Sequence, residues 1–304
     1  MVKKNKNKKF FNFESVRRTG SVFGIISLIV LLAYAVSLFI PFVWAFITSC
    51  RDYLDFRING GWAMPDPWVN NYANVFEFFQ AKVQAGATDR FVEIPEMVFN
   101  SIVYALGGAI IGCVTSLLVA YIVAKYNFKF CKVIYAIIII QMILPIVGSL
   151  PSELRMARSL GLYDKLLGMW VMKTHVSGLY FLVFLGTFKQ IPKEYAEAAQ
   201  IDGANNFLIM VKIMIPTISG SIFTVILLQF IGLWNDYQTP LLYMPTHPTI
   251  AYGLQLYTMG NFEAETANTP MRLAGCIVVA IPLLIIYLAF QKRLLGNITV
   301  GGLK

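Results

Sequence analysis

Stretches free of Asp, Glu, Lys and Arg run Thr19–Cys50, Met97–Ala124, Val133–Ser152, Thr174–Phe188, Ile213–Asn235 and Leu273–Gln291. A helix needs about 20 apolar residues to cross a bilayer. Inside lipid, such a segment must satisfy its own backbone N–H and C=O groups, which an α-helix does. Five of the stretches are long enough alone. The fourth is short, but Leu166–Met172 just before it is apolar. That span is taken to start there, with Lys173 snorkelling to the surface or facing the bundle interior. The expected fold is therefore all-α, a membrane protein of six transmembrane helices. Only 13% of the residues are charged, about half the share in a soluble domain. Pro41, Gly107, Gly108, Pro145, Gly232 and Pro282 fall inside the stretches. They are not read as breaks, because neighbouring helices re-satisfy freed backbone groups in membranes. Gly107, Gly108 and Gly112 suggest a close, small-residue packing face in span two.

Charge orients the chain. Six spans put both ends on one side. That side holds 1–20, 125–132, 189–215 and 292–304, which carry most of the 25 Lys and Arg residues and four acids, Glu14, Glu194, Glu197 and Asp202. The positive-inside rule makes it the cytoplasm. The organisation expected is a basic cytoplasmic tail (1–20), a first span with a long extracellular segment (21–96), a five-span core (97–291) and a cytoplasmic tail (292–304). The apolar run Phe23–Ile47 has no cleavage pattern after it and exceeds a secretory core of about 7–15 residues. It reads as a retained anchor.

Cys50, Cys113, Cys131 and Cys276 are scattered, with no C-x-x-C pair, and read as small apolar side chains. His175 and His247 have no accompanying ligand or catalytic cluster in the sequence.

The core contains an interruption, EYAEAAQIDGANNFLIMVKIMIP, from Glu194 to Pro216. Pro192 suits the first turn of a helix. Glu194, Glu197, Ala198 and Ile201 then share one face, and Gly203 is a natural left-handed stop. A second helix over about Asn205–Met214 would align Phe207, Leu208, Val211 and Met214, with Pro216 ending it. The result is a helix–turn–helix elbow, 192–216, on the cytoplasmic side between spans four and five. Two readings are open on the residues alone. An amphipathic loop lying on the bilayer wants Lys and Arg on its polar face, whereas this one carries Glu194, Glu197 and Asp202 against Lys193. A partner groove that receives a short helix is the better fit.

Glu197-Ala198-Ala199, then Gly203, then Ile213-Met214-Ile215-Pro216 resembles the E-A-A signature of permease subunits of binding-protein-dependent ABC importers. The spacing is the family's, with Ile215 where Leu is usual, and Asp202-Gly203-Ala204 is the form typical of its carbohydrate branch. NYANVF, SLGLYDKLLGM, LWNDYQTPLLY and the tail GNITVGGLK look like the shorter, six-span permease of maltose-type importers. The resemblance covers about 70–304. It implies that the elbow docks in a groove of an ATP-binding subunit through Glu194, Glu197, Ala198, Ala199, Asp202, Gly203 and Ala204. It also implies a second, unlike permease, two ATP-binding subunits and an extracellular or periplasmic sugar-binding protein, in the plasma membrane of a bacterium. No nucleic acid is implied. The chain has no G-x-x-x-x-G-K-[ST] loop, so it is expected to be non-catalytic, with no cofactor of its own and with ATP and Mg held by partner subunits.

Polar residues inside apolar helices mark interiors and cavities more often than lipid faces. Gln141, His175, Gln229, Trp234 and Asn235 are the candidates for a substrate pathway, with interhelical hydrogen bonding as the equal alternative. A self-contained secondary transporter is the other reading of function. The sequence has neither the inverted repeats nor, apart from Lys173 and Asp236 near the membrane edges, the buried coupling charges common in that class, and no H-E-x-x-H or paired carboxylates for an intramembrane enzyme.

Overall fold

The structure, a computed structural model, describes residues 22–85, 88–126, 128–144, 148–259 and 268–298. The basic tail 1–20, Pro145 and the last six residues of GNITVGGLK lie outside them. The first, second and last apolar stretches become long helices: α1 (Val22–Ser49), α4 (Ile94–Lys125) and α14 (Thr269–Ile298). Pro41 and Pro282 lie inside α1 and α14. By length and composition, three helices among the described residues can cross a bilayer: Gly24–Ser49, Ile94–Lys125 and Thr269–Gln291. A fourth crossing is available if the pair Asn206–Thr217 and Ser219–Trp234, bent by 74°, counts as one span.

α4 is the axis. Pro95 and Glu96 start it and Lys125 closes it, which suits the helix dipole at both ends. It is packed by α8 (Gly178–Gln190), α11 (Ser219–Trp234) and α7 (Leu166–Met172). The expected close face is present. A side chain at Gly107 would overlap the Trp170 indole, one at Gly108 would meet Leu233, and one at Gly112 would overlap Gln229. Trp170 is fixed there by an indole N–H donated to the Val103 carbonyl at 3.0 Å.

Three expectations are corrected. The stretch Val133–Ser152 is two helices, α5 (Lys129–Ile143) and α6 (Leu150–Ser159). α5 stops at Ile143, and Leu144 is extended (φ −83, ψ 115), the conformation favoured for a residue that precedes a proline in sequence. The fourth span does not begin at Leu166. α7 stops at Met172, and Lys173–Ser177 forms a break before α8. The Ser177 N–H donates to Ser116 Oγ of α4 at 3.2 Å, so the break is held inside the bundle. There Lys173 lies 3.8 Å from Asp236, which accepts the Tyr104 hydroxyl at 2.8 Å.

The third correction concerns the chain between α1 and α4, which is not all helix. After α2 (Tyr53–Asn59) and α3 (Asn71–Phe78), β1 (Gln80–Ala85) pairs antiparallel with β2 (Thr88–Glu93), Gln80 opposite Glu93. Ala81, Val83 and Val92 point inward while Lys82, Gln84 and Arg90 are exposed. This is the alternation of a one-faced hairpin. Its buried face packs with Phe79, Met97, Tyr257 of α13 (Ile250–Met259) and Trp234. The SLGLYDKLLGM turn is tied to the chain after α12 (Gln238–Tyr243), where Asp164 accepts Thr246 N–H and Oγ1–H at 3.1 and 2.8 Å.

The segment beyond α1 is closed by a buried arginine. Arg51 donates to the Asp55 carboxylate at 2.6 Å and to the Gly60 carbonyl, and Asn71 donates to the Ser49 and Arg51 carbonyls, both at 2.8 Å. Hydrogen bonds from Arg51 and Asn59 hold the Asp55 carboxyl below its ordinary 3.8. A lowered folded value means the stabilisation is present above the unfolded value and is lost as pH falls through the folded one. Acidification below 3.8 should loosen 51–71 before the bundle unfolds, as read by proteolysis of this segment, and Asp55→Asn should flatten that dependence. Gly107→Ala is expected to lower thermal stability by about 1–3 kcal/mol through overpacking. Gly186→Ala, where nothing lies within 4 Å of the added methyl, should leave it unchanged or raise it.

Candidate functional site

The elbow's first helix and turn form where the sequence predicts, except that Pro192 precedes the Lys193 N-cap rather than sitting in the first turn. α8 ends at Gln190, and α9 spans Glu194–Ile201. The Gly203 and Ala204 N–H groups close back on the Gln200 and Ala199 carbonyls at 3.0 and 2.9 Å. Gly203 has φ +84, a left-handed conformation that costs a side-chain-bearing residue about 1–2 kcal/mol. Asn205 then caps α10 (Asn206–Thr217), its side-chain oxygen accepting the Leu208 N–H at 2.8 Å.

The second helix differs from expectation in two ways. It does not end at Pro216 but runs to Thr217, and the corner is at Ile218. It also contains a π-helical turn, Met210–Met214. A wider turn brings residues five apart toward one face. Ile209 and Met214 therefore both point inward, while Phe207 and Val211 of the expected stripe are exposed.

The elbow is seated on the ends of α4 and α8. Ala199, Ile209 and Met214 are buried with Tyr121 and Phe188, whose rings meet edge to face at 5.4 Å. Lys125 Nζ donates to Asn206 Oδ1 at 3.2 Å. The predicted docking residues thus divide. Ala199 belongs to the chain's own core, and its lack of bulk lets α9 sit close. Ala204 is half-buried. Glu194, Ala198, Asp202 and Gly203 are exposed. Glu197 is also exposed, and lines a cleft of about 350 Å³ with Lys125, Lys189, Lys193 and Gln200. Ile201 is 86% exposed and Phe207 69%. Ile201 lies on the face the sequence shares with Glu194, Glu197 and Ala198, whereas Phe207 was placed on the stripe with Met214, from which it diverges through a π turn that has no sequence signature.

The pathway candidates also divide. A cavity of about 690 Å³ is lined by Gln141, His175, Lys173, Glu153 and Tyr243. A smaller one of about 210 Å³ shares Lys173 and His175 and adds Gln229, Ser177 and Tyr180. The break before α8 therefore brings Gln141, His175 and Gln229 into one polar region. Gln229 reaches it because Gly112 leaves room, and its Nε2 is buried without a hydrogen-bond partner among the described residues. Trp234 is elsewhere, buried beside Phe230 at 5.6 Å against the hairpin cluster. Asn235 is exposed and donates to the Ile231 carbonyl of its own helix at 2.8 Å. Of the two positions open to Lys173, the structure takes the bundle interior, while Ser177, Tyr180 and Asp236 were not named as lining or supporting groups.

The sequence profile of the binding-protein-dependent transport system inner membrane component matches residues 112–299, which include the elbow. The chain belongs to this family. The sulfoquinovosyl glycerol transport system permease protein SmoH of Agrobacterium fabrum is 26% identical over 268 residues, 87% of this chain and 88% of its own. The trehalose/maltose transport system permease protein MalG of Thermococcus litoralis is 27% identical over 269 residues, 87% and 91% of the two chains. A chain of a bacterial ABC transporter that imports the acidic polysaccharide alginate superposes with a TM-score of 0.71 at 25% identity, covering 94% of this permease and 99% of that chain. These relatives carry sugars or sugar conjugates by their names.

The left-handed turn gives a local prediction for the permease. Gly203→Val is expected to cost about 1–2 kcal/mol. Gly203→Asn should recover most of it, since asparagine enters this region more readily. Thermal unfolding of the purified chain compares the two.

Proposed function

We propose that this chain is one of two unlike permease subunits of an ATP-driven carbohydrate importer. It crosses the bacterial plasma membrane six times with both termini in the cytoplasm. The domain organisation is 1–20, 21–96, 97–291 with the elbow 192–216, and 292–304. Two ATP-binding subunits hydrolyse ATP, and an extracellular or periplasmic sugar-binding protein delivers an oligosaccharide.

The observation that carries this reading is the elbow. One face is cemented to α4 and α8 by Ala199, Ile209 and Met214, while the other leaves Ile201 and Phe207 bare beside Glu194, Glu197 and Asp202. Large apolar side chains left in water beside acidic ones fit a protein groove with an apolar floor and basic rim. Because the inner face is packed, a partner that moves α9 and α10 moves the ends of α4 and α8 with them. The corner at Ile218 passes the displacement to α11, which carries Gln229 at the polar region. A sugar fits that region chemically. The amides Gln141 and Gln229, the Tyr180 and Ser177 hydroxyls and the Lys173 ammonium are hydrogen-bonding groups suited to hydroxyls, and the Gln229 amide has capacity to spare.

Co-purification of an ATP-binding subunit with the tagged chain from detergent is the test. Glu197→Lys and, separately, Ile201→Glu are expected to weaken recovery of the ATPase at least about tenfold, as for a buried contact residue, with the second permease retained. Ile201 is exposed, so its substitution leaves the fold of this chain intact. A wild-type chain that purifies alone and moves solute in vesicles without ATP would instead be a secondary transporter, and the importer reading would fall.

A further inference from the structure

We infer that the segment immediately after α1 is an interfacial membrane anchor, folded back so that Leu54, Ile58 and Trp62 enter the lipid headgroup boundary beside the span. This goes beyond the transport role and rests on α1 crossing the bilayer.

The first observation is depth. Trp62 lies outside the apolar stretch in sequence, yet its ring is 6.5 Å from that of Trp44. Trp44 is five residues before the end of α1 at Ser49, about 7 Å back along the helix axis at about 1.5 Å per residue. Trp62 is therefore level with the last turns of the span, not above them.

The second is that the fold-back is built. Two consecutive carbonyls are captured from the span side: Arg51 donates to Gly60 O, and Trp44 Nε1–H donates to Gly61 O at 2.6 Å. Arg51 is fully buried and held by Asp55, so it is a fixed donor. Gly60 takes φ +74 to make the turn.

The third is what the fold-back presents. Ile58 is 78% exposed and Trp62 71%, with Leu54 bare on the same face of α2 as Ile58, one turn earlier. Apolar side chains this bare in water mark an interaction surface. Tryptophan beside aliphatics at the end of a span is the composition of a membrane–water boundary, where an indole buries its body and keeps its polar edge near water. The surface is continuous with α1, whose apolar side chains are themselves exposed along most of the helix. Lipid that bathes the end of α1 is in reach of Trp62 without any further structure.

Spin labels at Ile58→Cys and Trp62→Cys test this, in the full chain with its assembled subunits in lipid nanodiscs and with Cys276 replaced by alanine. Accessibility to molecular oxygen, which concentrates in lipid, is compared with that to a water-soluble nickel chelate. High oxygen and low nickel accessibility at both sites is the expected result, with a label at the exposed Glu77 nickel-accessible. Nickel accessibility at 58 and 62 matching that at 77 would overturn the anchor. Shielding from both probes would also overturn it, assigning the surface to a protein partner. A label at Phe39 on α1 reports separately on the span, since nickel access there sinks the crossing itself. Arg51→Gln, which weakens the hold on Gly60, should move both labels toward nickel and leave Phe39 unchanged. The labels in the wild-type background decide the question even if that variant fails to fold.

Discussion

Trp170 lies against α4 where Gly107 has no side chain, and it donates its indole proton to a carbonyl one turn earlier. Leu233 and Gln229 use Gly108 and Gly112 of the same helix in the same way. Lipid tails are as apolar as leucine, so helices in a membrane are not pressed together by water. They associate through close van der Waals packing and interhelical hydrogen bonds. The glycine face of α4 supplies both. It brings α7 and α11 near enough that the break at Lys173–Ser177 sits between them, with Lys173 beside Asp236 and Ser177 on Ser116. Irregular backbone at membrane depth is tolerated only where protein or a water-filled cavity surrounds it, and here the break is held by Ser116 and lines the cavities shared with Gln141 and Gln229.

The elbow depends on the same helix at its other end. Tyr121 and Phe188 form the seat, and the π turn rotates α10 so that Ile209 and Met214 both face it. Without that turn one of the two would point outward and the elbow would be held at one place rather than two. α9 splits into two faces between neighbouring residues, with Ala199 packed inward and Ala198 left outward.

Much of this was legible beforehand. Apolar stretches mark α1, α4 and α14 because a long run without charges has one stable form in lipid. The turn at Gly203 was legible because its left-handed backbone suits glycine. The hairpin at 80–93 was passed over although QAKVQ alternates, since its short strands fell within a segment read only as an external loop. The end of α5 was misjudged in the other direction. Pro145 was granted the tolerance that membranes allow, but the residue before it is extended. Of the pathway candidates, Trp234 and Asn235 follow one another on α11 and its cap, yet one is packed into the hairpin cluster and the other bonds its own helix.

The sequence by itself determined which segments are apolar enough for lipid, where the chain turns through Gly203, and that a helix–turn–helix elbow interrupts the core. Each of these follows from a local property: hydrophobic length, left-handed backbone, or a motif of fixed spacing. The tertiary structure alone decided which side chains meet. The rotation of α10, the gathering of Gln141, His175 and Gln229 at one break, and the capture of Gly60 and Gly61 by Arg51 and Trp44 each join groups from separate segments. Their approach depends on how closely two backbones pack, a distance that no local pattern in the chain encodes.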